Sequence, residues 1–417
     1  MIEHSVDVAV IGGGPAGLAA AVSAKEHGAD QIVVIERNSW LGGILQQCIH
    51  DGFGVEETGK SLTGPEYAEH YINMALQRNI QIMLETMVIE LKGNREIVAV
   101  NSNGLHNIKA KSVILAMGCR ERTRWNTMIP GTRPSGIYTA GVAQSFINLQ
   151  NIMVGRKVVI VGSGDVGLIM ARRMKLEGAE VVAVIEILPH PSGLLRNVVQ
   201  CLEDYDIPLL LNHTVTNIEG KERVERVTIS RVDKNMKPIS GTEKQIECDT
   251  ILLSLGLIPE NELSRMAKVE INDRTGAPSV NQELETNIPG IFACGNCLHV
   301  HDTVDMLSIE AKKAGKSAAE YITNADRKQY ETVIHVVPGK GVRYVVPQRI
   351  NMHGKTELML RAKKPMEPAT LQVTANNKVL LIKKLLCATP SSMIKVDIVV
   401  SREVFVSRDV LEVKLIG

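Results

Sequence analysis

The chain of 417 residues, 44% hydrophobic and 22% charged with a net charge of +1, has room for two or three domains and the balance of a soluble globular protein. No apolar run reaches the ~18 residues that span a membrane, and MIEHSVDVAVIGGG runs straight into a strand with no basic n-region, so a cytoplasmic protein without secretory signal or transmembrane segment is expected. Seven scattered cysteines suit reduced thiols better than a disulfide framework.

In chain order the first element is the most informative. Val6 to Glu36 reads VDVAVIGGGPAGLAAAVSAKEHGADQIVVIE: an apolar strand, a glycine-rich turn, a helix of small residues and a second strand ending in an acid. Gly12, Gly14 and Gly17 form G-x-G-x-x-G, which turns tightly out of the strand, brings backbone close to a pyrophosphate and packs the helix on the sheet. The helix N-terminus offers unpaired N–H groups to phosphates. Glu36, 24 residues after Gly12, is placed to accept hydrogen bonds from ribose hydroxyls. The stretch reads as an adenine-dinucleotide site.

Downstream, Gln81 to Val100 alternates as short strands do, and Ser112 to Met117 (SVILAM) is a continuous apolar run typical of a buried one. It ends in Ala116-Met117-Gly118, at the edge where open α/β sheets place ligands. Ile129-Pro130-Gly131 and Pro134-Ser135-Gly136 then break regularity, as a crossing between domains does. Arg120, Arg122, Arg124 and Arg133 cluster there, with an anionic ligand and structural ion pairs both open.

The opening stretch then recurs. Val158 to Glu186 reads VVIVGSGDVGLIMARRMKLEGAEVVAVIE, with Gly162, Gly164 and Gly167 again spaced G-x-G-x-x-G. Each landmark is displaced by 150, from Gly12 to Gly162, Gly28 to Gly178 and Glu36 to Glu186. One such turn is weak evidence, but two in register with strand, helix and acid point to two dinucleotide domains. TILLSLG (250–256) and TNIPGIFACGN (286–296) are further strands with glycine exits, and a helix is expected from about Asp302 to Tyr321, where Ala311, Ala314, Ala318 and Ala319 permit close packing.

Beyond Asn324 short β-rich runs broken by Pro and Gly read as a separate C-terminal β domain, in which nothing signals chemistry. From Asp326 to Gly417 there are 16 Lys+Arg and 8 Asp+Glu, net +8, against −7 for the rest. This basic face is either solvated or a dock for an acidic partner. Nucleic acid is not expected, because a binding motif and interleaved aromatics are missing.

Taken together, these residues resemble the two-dinucleotide-binding-domain flavoproteins of the pyridine nucleotide-disulfide oxidoreductase superfamily over about Val6 to Tyr321. The strings CIHDGFG (48–54), LTGPEYA (62–68), AMGCRER (116–122), IPGTRPSGIYTAG (129–141), GSGDVGLIMARR (162–173), GLIPENELS (256–264) and ACGN (293–296) bring it closer to the flavoprotein found with bacterial glycerol-3-phosphate dehydrogenases and to alpha subunits of dye-linked amino-acid dehydrogenases. The resemblance implies an α/β fold of two Rossmann-like three-layer domains of the glutathione-reductase type plus a small C-terminal β-rich domain. Its domains would be 1–120 with 285–325 for FAD, 150–284 for NAD(P)H and 326–417 for the β-rich part.

Residue by residue, it implies Gly12, Gly14, Pro15, Ala16 and Gly17 at the FAD pyrophosphate and Glu36 at the adenosine ribose, with Arg37 beside it. Gly42 and Gly43 would lie beside the flavin, the backbone near Val88 beside the adenine, and Ala116 and Gly118 at the FAD edge. Gly295 and Asn296 match the family's Gly-Asp, with an amide here in place of the acid. Gly162, Gly164, Asp165, Gly167, Glu186 and Gly256 would hold NAD(H). Glu186 favours NAD(H) over NADP(H), since a carboxylate repels a 2′-phosphate, and Arg172 and Arg173 lie inside the helix, away from the strand end.

In disulfide-bearing relatives two cysteines follow the Gly-Gly pair; those positions here are Leu45 and His50. Cys48 between them is a candidate peroxidatic thiol or a packed one. Cys294 and Cys297 form a lone C-x-x-C with no second pair to complete a metal site, so no metal is expected. Without a disulfide relay, electrons would leave the flavin directly. The expected function is hydride transfer between NAD(H) and FAD in a subunit of a larger homo- or hetero-oligomeric dehydrogenase acting on glycerol 3-phosphate or an amino acid. A stand-alone NADH oxidase or peroxidase and a flavoprotein scaffold with structural nucleotides stay open.

Overall fold

The computed structural model describes residues 1–323, 333–376, 378–407 and 410–417, so the expected boundary at 325/326 lies outside the described residues. The chain forms two compact units, Met1–Cys119 with Pro259–Gly417, and Arg120–Ile258. The α/β reading holds in both.

In the first unit, strand Ile2–Ile11 lies inside a seven-stranded sheet, between parallel partners Ile32–Ile35 and Gly104–Leu115. Strand Gly104–Leu115 is paired twice on its other side, antiparallel to Glu96–Asn101 and, near its end, parallel to Ile291–Ala293. Helix Pro15–Glu26 buries every residue from Ala16 to Ala24, which is why its composition is almost wholly Ala, Gly, Val and Leu. Small side chains let helix Val304–Thr323 approach so closely that a Cβ on Gly315 would sit 2.1 Å from the Ala20 carbonyl oxygen, and Ser23 Oγ donates to Lys312 O at 2.7 Å. That helix starts and ends two residues later than expected. Burying a side chain such as Leu18 completely contributes about 2 kcal/mol.

The return to this unit comes at Pro259, not at residue 285. Ala267, Val269, Val280 and Leu284 are buried in the first unit's core, and that burial claims the segment.

The second unit carries a parallel five-stranded sheet in the order Leu209–Leu210, Glu180–Ile185, Lys157–Val161, Thr250–Leu253 and Ile137–Thr139. Alternation sorts its side chains into two cores: Val158, Ile160, Val184 and Leu252 pack against helices, while Val159, Val161, Ile185 and Leu253 pack against an antiparallel meander, His213–Gly220, Val224–Arg231 and Lys244–Glu247.

Within the first unit the C-terminal segment forms a five-stranded and a three-stranded sheet that share a core, with Val336, Leu371 and Val413 from one and Leu358, Leu360 and Val396 from the other. Tyr344 and Val346, however, are buried in the core of the nucleotide-type sheet.

Candidate functional site: two glycine turns and a buried histidine cluster

The first glycine turn is closed by contacts that only hydrogen in place of a side chain permits. A Cβ on Gly12 would lie 2.4 Å from the Ala116 oxygen, and one on Gly17 would lie 1.8 Å from the Gly12 oxygen. Helix Pro15–Glu26 begins with no side-chain cap and no acid in its first turn, an N-terminus whose N–H groups and partial positive charge suit an anion. Glu36 is buried, its Oε2 accepting from Gly13 N at 2.8 Å and its Oε1 from Asn38 N at 2.8 Å, while Arg37 beside it is exposed.

Distant residues gather on this turn. Gly42 N donates to Gly13 O at 2.8 Å, and a Cβ on Gly43 would stand 3.1 Å from Gly14 Cα. Thr86 N donates to Glu36 O, bringing the strand of buried Val88 beside the acid. Ala116 N donates to Ile11 O, and Gly118 accepts from Glu260 N at 3.0 Å. A Cβ on Gly295 would meet Ala16 Cβ at 2.7 Å. Asn296 Oδ1 accepts from His301 N at 3.2 Å, which leaves the amide N–H groups of Asn296 to donate. The glycine cradle, the uncapped helix start and this amide fit an adenine dinucleotide.

The second turn has the same backbone with different polar groups. Cβ atoms on Gly162 and Gly167 would lie 2.1 Å from Ser254 O and 2.5 Å from Ser254 Cβ, and Gly167 N donates to Ser254 Oγ at 3.2 Å. Gly256 follows in a left-handed conformation. Buried Glu186 accepts from Ser163 N at 3.0 Å, from the hydroxyls of Ser163 and Ser192, both at 2.5 Å, and from Leu188 N at 2.9 Å. Asp165 at the start of helix Asp165–Leu176 accepts from Leu194 N and Asn197 Nδ2. In the same helix Arg173 pairs with Glu177 at 2.7 Å. Among the clustered arginines, Arg124 is buried and donates to the carbonyls of Ile129, Pro130 and Thr132, a clamp on its own loop.

None of the seven cysteines is in a disulfide. Cys48 donates to Ile44 O at 3.3 Å, and burial pushes its thiol up to about 12, so it is not a thiolate at neutral pH. Burial likewise raises buried Cys294 and takes Cys297, whose Sγ donates to Leu115 O and Cys294 O, to about 12.

The sequence model of the family described as pyridine nucleotide-disulphide oxidoreductase matches residues 6–336. The chain belongs to that family. NADH oxidase of Methanocaldococcus jannaschii is 27% identical over 345 residues, covering 77% of this chain and 71% of that one. The hydrogen cyanide synthase subunit HcnB of Pseudomonas protegens is 25% identical over 317 residues, covering 70% and 66%. Among solved structures, thioredoxin reductase of T. acidophilum superimposes with a TM-score of 0.63 at 23% identity, over 76% of this chain and 98% of that one, a likeness of fold. As a pyridine nucleotide-disulphide oxidoreductase the protein is an enzyme, an FAD-dependent NAD(P)H oxidoreductase. Among the described residues no helix is long and apolar enough to cross a membrane.

Within this family fold lies a cluster that the motif reading passed over. His299, His301 and Glu310 converge beside Gly295, each side chain at most 2% exposed. His299 Nε2 lies 2.5 Å from Glu310 Oε2, His301 Nε2 lies 3.4 Å from Oε1, and Gly295 N donates to Oε1 at 2.9 Å. Burial holds His299 below the usual imidazole range despite the facing carboxylate. Burial would raise Glu310, but the facing imidazoles, His299 foremost, outweigh it and hold the carboxyl well below the usual range. The H-x-H spacing of residues 299 and 301 was the available signal; Glu310, eleven residues on in a helix, carried none.

Proposed function

We propose that the first turn holds FAD and the second NAD(H), and that the enzyme passes a hydride between them as a subunit of a larger dehydrogenase acting on glycerol 3-phosphate or an amino acid. The observation that carries the reading is duplicated: a buried carboxylate at a strand end accepts the N–H of the residue between the first two glycines, Glu36 from Gly13 at 2.8 Å and Glu186 from Ser163 at 3.0 Å. Both acids thus stand where a ribose attached to a pyrophosphate on the turn would lie.

When bound, FAD supplies the hydride chemistry. The chain's own residues bind and orient: the uncapped start of helix Pro15–Glu26 takes the pyrophosphate, Glu36 the adenosine ribose, and Asn296 donates from its amide. Glu186 selects NADH, because a carboxylate accepts from a 2′-hydroxyl and repels a 2′-phosphate. The high-lying Cys48 thiol disfavours a cysteine relay, which supports direct exit of electrons to a partner, and the likeness to a protein named as a synthase subunit points the same way. The likeness to an NADH oxidase favours oxygen as acceptor instead.

Anaerobic titration with NADH and NADPH tests the core of the reading. It fails if NADH leaves the visible flavin absorbance unbleached, or if NADPH reduces the flavin faster at equal concentration. Purification from the native host tests the partner: a co-purifying dehydrogenase subunit is expected, and an isolated chain whose NADH oxidation is matched by oxygen uptake favours the oxidase.

A further inference from the structure

We propose that His299, His301 and Glu310 form a site for one divalent transition-metal ion. One ligand atom from each lies within 4.8 Å of those of the other two. Three polar side chains converge there, yet among the described residues Nδ1 of His299 and of His301 are buried without a hydrogen-bond partner, and His301 Nε2 has only the 3.4 Å approach to Glu310 Oε1. Each unmet buried polar atom costs roughly 1–3 kcal/mol, and native structures carry few of them. A cation that takes one lone pair from each imidazole, beside a carboxylate, would meet one nitrogen of each ring.

The donor set and its support fit that ion. Two imidazoles and a carboxylate suit Zn²⁺, Fe²⁺, Mn²⁺ or Co²⁺. The ligand segment is pinned on both sides: Asn296 accepts from His301 N, Arg361 Nη2 donates to Val300 O at 2.9 Å, and Asp302 accepts from Arg361 and from Met393 N at 2.6 Å. Gly295 N–H on Glu310 is the outer bond that orients a carboxylate ligand. The Arg361 guanidinium is committed to Asp302, Tyr344 and two carbonyls, so it does not serve Glu310, whose ion-pair contacts among the described residues are the two imidazoles. Loading requires one adjustment. Metal–ligand distances of about 2.0–2.2 Å place neighbouring donors farther apart than the 2.5 Å contact between His299 and Glu310, which must open by roughly 1 Å. An ion there would neutralise Glu310 and lock the loop of Gly295 and Asn296.

The test uses the full chain with its flavin, stripped by chelator and dialysed against Co²⁺ alone, then read by elemental analysis and low-temperature EPR. One Co²⁺ per chain is expected, with nitrogen hyperfine coupling and displacement by Zn²⁺. The near-isosteric variants His301→Gln and Glu310→Gln should each weaken binding at least about tenfold, the smaller loss seen when only an outer-shell partner is removed. Failure of the wild-type protein to hold stoichiometric Co²⁺, an EPR signal of hydrated ion, or unchanged affinity in a folded variant overturns the proposal. If a variant loses its flavin or its fold, the wild-type stoichiometry and hyperfine coupling decide alone. None of these readouts depends on NADH turnover, so the hydride reading and this site fail separately.

Discussion

The two glycine turns share one backbone recipe and differ in everything placed around it. Helix Pro15–Glu26 starts with proline and has no acid in its first turn, while helix Asp165–Leu176 starts with an aspartate tied to Leu194 N and Asn197. The first helix is buried from Ala16 to Ala24, the second at only five positions. Glu36 accepts two backbone N–H groups; Glu186 accepts two backbone groups and two serine hydroxyls. The same backbone turn is thus set in two different polar surroundings.

The sharpest way to break that comparison is one added methyl in each turn. Gly17→Ala drives a Cβ to 1.8 Å from a backbone oxygen, whereas Gly167→Ala meets the Ser254 side chain at 2.5 Å. Overpacking of this kind costs about 1–3 kcal/mol. The first variant should purify without bound flavin and the second should keep full flavin content while losing reduction by NADH, both read from the visible spectrum. The opposite pattern would exchange the two assignments.

A smaller effect is expected at the second acid. Glu186→Ser should cut the NADH-to-NADPH ratio of kcat/KM by about 10–100-fold, the worth of one or two hydrogen bonds to a charged group, with flavin content unchanged. An unaltered ratio would mean that Glu186 serves only Ser163 and Ser192. Smaller still is Cys48→Ser. Burial pushes the thiol up to about 12, so NADH-dependent oxygen uptake between pH 6 and 9 should change less than about twofold. A rate that rises through pH 8 in wild type but not in the variant would restore the cysteine. Smallest is Asn296→Asp, where FAD should stay bound and only the reduction potential should move, downward, because a new carboxylate disfavours added negative charge; an unmoved potential would place Asn296 away from the flavin.

Much of the fold and of the two turns was legible in the residues because the constraint is local. A missing Cβ at Gly12, Gly17, Gly162 and Gly167, an apolar strand before each and an acid at the end of the next are all encoded within about one βαβ unit. What the residues could not show is set by partners far along the chain. Ala267, Val269 and Val280 have no periodicity that says which sheet will bury them, so the return at Pro259 was out of reach. The C-terminal β segment, silent as a sequence, sends Arg361 to Asp302 and sets the Tyr344 ring 6.2 Å from His299.

By itself, then, the sequence determined a pair of nucleotide turns with their acids and the absence of a cysteine pair between Gly43 and His50, since each is a matter of which atoms a short stretch has or lacks. Only the tertiary structure decided that His299, His301 and Glu310 meet, how deeply Cys48 is held, and which unit owns residues 259–284. Burial and the meeting of remote side chains are properties of the packed chain, and no local pattern carries them.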